Sequence, residues 1–158
     1  MTAPHPEEQL VPPAWFRKFL DRGFPLIHYP EKSKAPIGPE AKGWPSRAVR
    51  SPEGYIPGKN WGVLLGSEIA PGRFLVDVDF DWALGLPLAK QILPDTGFGF
   101  GRAGNEISHA FFTTPEPIKS RRYEDIDRSV IVELRGRTER VALLFRQCFP
   151  RRFTQAVK

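Results

Sequence analysis

The chain has 158 residues, 41% hydrophobic and 12% aromatic, enough for one buried core and too few for a second domain. No apolar run approaches a bilayer span, and Met1 precedes a polar stretch rather than the apolar segment of a signal peptide. The single cysteine, Cys148, excludes an intramolecular disulfide, so the expected setting is the reducing cytoplasm, with no membrane partner.

The formal charge of +5 points towards nucleic acid, but its distribution weakens that reading. Residues 1–118 carry 12 Lys and Arg against 13 Asp and Glu, whereas residues 119–158 carry 11 against 5. The excess therefore sits in the last quarter of the chain, and a basic tail is usually a solvated one.

In chain order, residues 1–13 are polar and proline-containing and read as a flexible leader. Trp15, Phe16, Phe19 and Leu20 recur at helical spacing, and Gly23 supplies the stop. Phe24 to Tyr29 reads as a short strand. The stretch from Pro30 to Lys59, rich in Pro, Gly, Lys and Ser, reads as a long loop of the kind that is functional or mobile. Asn60–Gly66 and Arg73–Asp79 read as strands. Residues 82–93 read as a helix interrupted or delayed by Pro87, and Gly97 to Gly104 as a glycine-rich connection. His109–Thr113 and Val130–Arg135 complete the strands. With 17 prolines and 14 glycines among these elements, the fold class is α+β, strand-rich with one or two helices.

Asp77 and Asp79 stand two apart in an apolar strand, so both carboxylates leave one face. Like charges held that close favour a cation, and hard oxygen donors favour Mg²⁺ or Mn²⁺ over zinc. For an arbitrary D-x-D, solvated or arginine-paired aspartates are the commoner outcome. Asp81 continues the alternation but falls at the strand end. Glu133 is the one charge within the apolar run 130–134. If its strand neighbours that of Asp77, three carboxylates surround one or two metals, an arrangement suited to phosphoryl transfer; the alternative is a half-exposed glutamate paired with Arg135. Ser108 and His109 open a strand after Gly101-Arg102-Ala103-Gly104-Asn105, a candidate cradle for triphosphate oxygens, although a structural histidine is the default for a lone Ser-His. No G-x-x-x-x-G-K-[ST] occurs, so a P-loop enzyme is excluded, and no Cys/His set suits structural zinc.

The ordered set D-V-D, then G-R-A-G-N-E-I-S-H, then V-E-L-R-G resembles the archaeo-eukaryotic primase superfamily, and most closely its bifunctional prim-pol domains from plasmids, phages and integrated elements. The upstream K-A-P, G-W and N-W-G-V-L-L-G segments are similar as well, so the resemblance covers roughly residues 15–136. It implies a catalytic domain over 14–136 with an RRM-like sheet, helices and a smaller N-terminal unit. It implies Asp77, Asp79 and Glu133 as metal ligands and catalytic residues, and Arg102, Ser108 and His109 as nucleotide-binding residues. The implied reaction is templated nucleotidyl transfer in DNA replication, with a DNA template, nucleoside triphosphates and a helicase module as partners. A non-catalytic nucleic-acid or nucleotide-binding remnant, or a two-metal nuclease or phosphodiesterase, are the alternatives.

After Gly136 the resemblance stops. The family continues towards P-P-S-x-H-P-x-G-E, whereas residues 137–158 form an atypical arginine-rich tail. One permitted frame-shifted reading of the tail's codons is S-T-M-L-P-P-S-V-H-P-G-G-E. The expectation is therefore a domain lacking its C-terminal part through a frameshift near residues 137–140, against a genuine basic tail.

Overall fold

Helix α1 (Ala14–Leu20) turns Phe16 and Phe19 inward and leaves Arg17 and Lys18 outside. It ends as the glycine signal anticipates, since Gly23 adopts a left-handed φ of 74°. The chain then enters strand β1 (Leu26–Tyr29), paired antiparallel with β2 (Asn60–Val63) from Leu26 opposite Val63 to Tyr29 opposite Asn60. The computed structural model describes residues 11–30, 33, 41–80, 82, 86–102 and 105–137. The first ten leader residues, Asp81 and the tail beyond Arg137 lie outside that set.

The remaining strands form one antiparallel sheet in the order β5 (Gly99–Arg102), β6 (Asn105–Thr114), β4 (Arg73–Phe80), β8 (Val130–Arg135), β7 (Arg121–Glu124). A short strand, β3 (Glu68–Ala70), pairs with the start of β4. The protein is thus mixed α+β with antiparallel sheets, as the element pattern predicts. Among the described residues no helix is long and apolar enough to cross a membrane.

Several expectations are corrected. The Gly97–Gly104 stretch contains a strand, β5, because Gly99 and Phe100 pair with Ala110 and His109. Strands β3 and β7 lack an apolar alternation to announce them and exist through their neighbours. Strand β2 ends at Val63, three residues early, where the chain turns so that Gly66 donates to Leu75 at 2.8 Å. Helix α2 (Leu86–Ile92) is shorter than predicted and has Pro87 as its second residue, where a missing N–H breaks no helical bond. Within the predicted loop 30–59, the described part carries 3-10 turns at Trp44–Arg47 and Pro52–Gly54, with Trp44 packed on Ile27 and Tyr29.

Two apolar layers hold the large sheet. On one face, Leu75 and Phe111 meet Phe16, Phe19, Phe24, Leu26, Trp61, Val63 and Leu65, which come from α1, β1, β2 and the chain beside them. On the other, Val78, Phe80, Phe112, Val132 and Leu134 meet Ala89 and Leu93. Each fully buried side chain of this size contributes about 1.5–3 kcal/mol. The glycine of V-E-L-R-G has a packing reason: a Cβ on Gly136 would collide with the Ile118 carbonyl oxygen, which accepts a bond from the Arg137 amide at 2.6 Å.

Candidate active site

Strand β4 is flanked on both sides, and in an antiparallel pair directly opposed residues share a face. Asp79 lies opposite His109 of β6 and opposite Glu133 of β8. Asp77 lies opposite Phe111 and Arg135. The alternation of β4 therefore brings Asp77, Asp79, His109, Glu133 and Arg135 to one face, next to the aromatic layer that Leu75 and Phe111 share with α1, β1 and β2.

The side chains form a chain of alternating charge and hydrogen bonding. His109 Nδ1 is 2.9 Å from Asp77 Oδ2 and 3.4 Å from Asp79 Oδ1. A carboxylate can only accept, so the shorter contact requires the proton on Nδ1. Arg135 Nη2 reaches Asp79 Oδ2 at 2.5 Å and Glu133 Oε2 at 2.6 Å, and Arg135 Nε donates to the same Glu133 oxygen at 2.8 Å. Arg122 of β7 stands 3.6 Å from Glu133 Oε1 and 3.0 Å from Glu124 Oε1.

Burial sharpens the electrostatics. Asp77 is 0% exposed and Asp79 4%, as deeply buried as the apolar residues around them. Burial by itself pushes the Arg135 guanidinium towards neutrality, and the attraction of Asp79, the Glu133 hydrogen bond and the charge of Asp77 together outweigh it, holding its pKa above the ordinary arginine value. Five buried side-chain atoms have no hydrogen-bond partner among the described residues, and Asp77 Oδ1 is the one that belongs to this cluster. A buried carboxylate oxygen without a donor is costly, and either a water or a cation offsets that cost.

Of the residues singled out from the sequence, Asp77, Asp79, His109 and Glu133 come together. Ser108 does not join them, because the alternation of β6 puts it with Ala110 and Phe112 on the opposite face, where it is buried. Arg102 pairs through its backbone with Asn105, and its side chain lies outside the described set. Glu133 takes the alternative foreseen for it, pairing with Arg135, whose guanidinium stands between it and Asp79. Accordingly, among the described residues no three His, Cys, Asp or Glu side chains converge as a ligand set. Arg135 was legible only as a partner for Glu133, two positions away on the same face; its second bridge to Asp79 needed the strand order. Arg122 carried no signal, since R-R-Y-E has no apolar alternation.

The donor chemistry nonetheless suits a hard divalent cation: the carboxylates offer only oxygen, Asp77 has one that no described residue meets, and Glu133 stands in register with Asp79. No protein-family model, curated protein or solved structure matches this chain.

Proposed function

We propose that the chain carries the catalytic centre of a metal-dependent nucleotidyltransferase of the archaeo-eukaryotic primase kind, acting in the cytoplasm on a DNA template. The observation that supports it most directly is Asp77, wholly buried with one oxygen that no described residue meets, beside Asp79 and paired with the Glu133 strand. Asp77 and Asp79 are the residues to hold Mg²⁺ or Mn²⁺, and Glu133 is the third oxygen donor. An ion held by these residues would supply Lewis-acid polarisation of phosphoryl oxygens and charge compensation for the departing pyrophosphate.

The chain's own residues orient the rest. The pairing of β4 on both sides fixes the direction of both aspartates. His109, oriented by Asp77 through Nδ1, is the candidate contact for an incoming triphosphate in its doubly protonated form, the one that can donate from Nε2, and Arg102 is the candidate to join it. Ser108, on the other face, is left out of this contact set. In the reaction, a 3′-hydroxyl oxygen bonds to the α-phosphorus while the bond from that phosphorus to the bridging oxygen breaks, releasing pyrophosphate. A helicase module is the macromolecular partner the family resemblance adds.

Primer extension on a DNA template tests the reading. Incorporation that needs Mn²⁺ or Mg²⁺, stops on chelation and is abolished in Asp77→Ala is the expected result. A second reading, a non-catalytic nucleotide- or nucleic-acid-binding remnant, is favoured by the Arg135 bridge, which already neutralises part of the cluster. It predicts binding without turnover, equal in the wild type and Asp77→Ala. Strand shortening without added nucleotides would instead identify a nuclease.

A further inference from the structure

Two guanidinium groups meet the acids of this cluster: Arg135, between Asp79 and Glu133, and Arg122, at the edge 3.6 Å from Glu133. The two carboxylates that Arg135 joins, Asp79 and Glu133, face each other across adjacent strands, and its Nη2 contacts both. A divalent ion shared by Asp79 and Glu133 would need these same oxygens. Guanidinium and metal therefore compete for one position.

We propose that Arg135 is a tethered counter-cation that holds the Asp79 and Glu133 carboxylates together in the metal-free protein and is displaced when a divalent ion binds. This inference rests on the metal-binding reading above.

Three observations carry it. Strand β8 is paired on both sides, to β4 and β7, so its backbone is fixed and displacement is a side-chain rotation. The Arg135 side chain is 24% exposed, which gives the rotation an outlet to solvent. The guanidinium is permanently charged and weakly hydrated, so it can bridge two acids without closing round them as a metal does. Meanwhile Asp77 Oδ1, which no described residue satisfies, gives the ion a first foothold beside the bridge. The device lets a strand bearing buried acids fold before metal is bound, and it sets a threshold below which metal does not enter. Arg135 is on this account a positioning residue for the acids, and its removal strengthens metal binding rather than weakening it.

Mn²⁺ binding to the full chain, followed by the paramagnetic resonance signal of the free ion with MnCl₂ alone, tests the competition. Arg135→Gln removes the charge but keeps a polar side chain, and its Mn²⁺ affinity is expected to rise about tenfold, within the usual range for coupled sites. Arg135→Lys keeps the charge and is expected to stay close to the wild type. Unfolding in urea with and without Mn²⁺ supplies a second readout: the ion is expected to raise the midpoint of Arg135→Gln more than that of the wild type. If Arg135→Gln is unfolded without metal, recovery of a cooperative transition on adding Mn²⁺ supports the proposal, and its absence overturns it. Weaker or unchanged Mn²⁺ binding by Arg135→Gln, with the wild type binding normally, overturns this inference alone. If neither protein binds Mn²⁺, the metal-binding reading falls and the inference falls with it.

Discussion

The two faces of strand β4 are buried almost equally and do opposite things. Val76, Val78 and Phe80 point one way, and Leu75, Asp77 and Asp79 the other, and Asp77 is less exposed than Val78 or Phe80. On the apolar face, burial itself is the stabilising term, because Val78 and Phe80 pack with Phe112, Val132, Leu134 and Ala89. On the acid face, burial is a cost that must be offset contact by contact, by His109 for Asp77 and Arg135 for Asp79. Exposure alone does not separate core from site. The chemistry of the partners does, and Asp77 Oδ1, which no described residue meets, marks where the offset within this cluster is incomplete.

The contrast is sharpest in mutants that alter one face at a time. Phe80→Ala, on the apolar face, is expected to lose about 3–5 kcal/mol of stability in urea denaturation. A loss under about 1 kcal/mol would mean that this layer does not carry the sheet. Glu133→Gln, on the acid face, weakens charge-assisted bonds to Arg135 while leaving the Asp79 bridge, so a loss of about 1–2 kcal/mol is expected. The same variant should bind Mn²⁺ more weakly under the proposed function. Asp77→Asn removes a fully buried charge and leaves an acceptor for His109 Nδ1, so stability should stay within about 1 kcal/mol of the wild type while templated incorporation disappears. A large loss of stability there would show that Asp77 is a structural anchor and erase the distinction between the faces. Smallest is the effect expected at the β7–β8 turn, away from both faces. Arg128 holds a left-handed φ of 66°, and Arg128→Gly should gain about 0.5 kcal/mol in the same denaturation experiment. A loss would mean that the arginine side chain contributes more than its backbone strain costs.

Much of the fold was readable wherever one signal dominated a segment. The apolar run Val130–Leu134 became β8 at the predicted residues, and the Phe16 and Phe19 spacing became α1 with its glycine stop. The misreadings fall where no local signal exists. Strand β5 consists of Gly-Phe-Gly-Arg and forms because β6 offers it an edge, and β7 is fully exposed and forms because β8 does. The same holds within the site. The shared face of Asp77 and Asp79 follows from their spacing, whereas the exclusion of Ser108 from the cluster follows from the phase of β6 opposite Asp79.

What the sequence determined by itself, then, is periodicity: two aspartates on one side of an apolar strand, and a glutamate two residues before an arginine on another. Those relations are local, since a strand alternates faces every residue whatever surrounds it. Tertiary structure alone decided that β8 lies beside β4 with Asp79 opposite Glu133, that His109 closes on both aspartates from β6, and that the Arg135 guanidinium bridges two strands. Strand order and register arise from pairing between residues distant in the chain, where hydrophobic layers on both faces select one arrangement, and no local pattern encodes that choice.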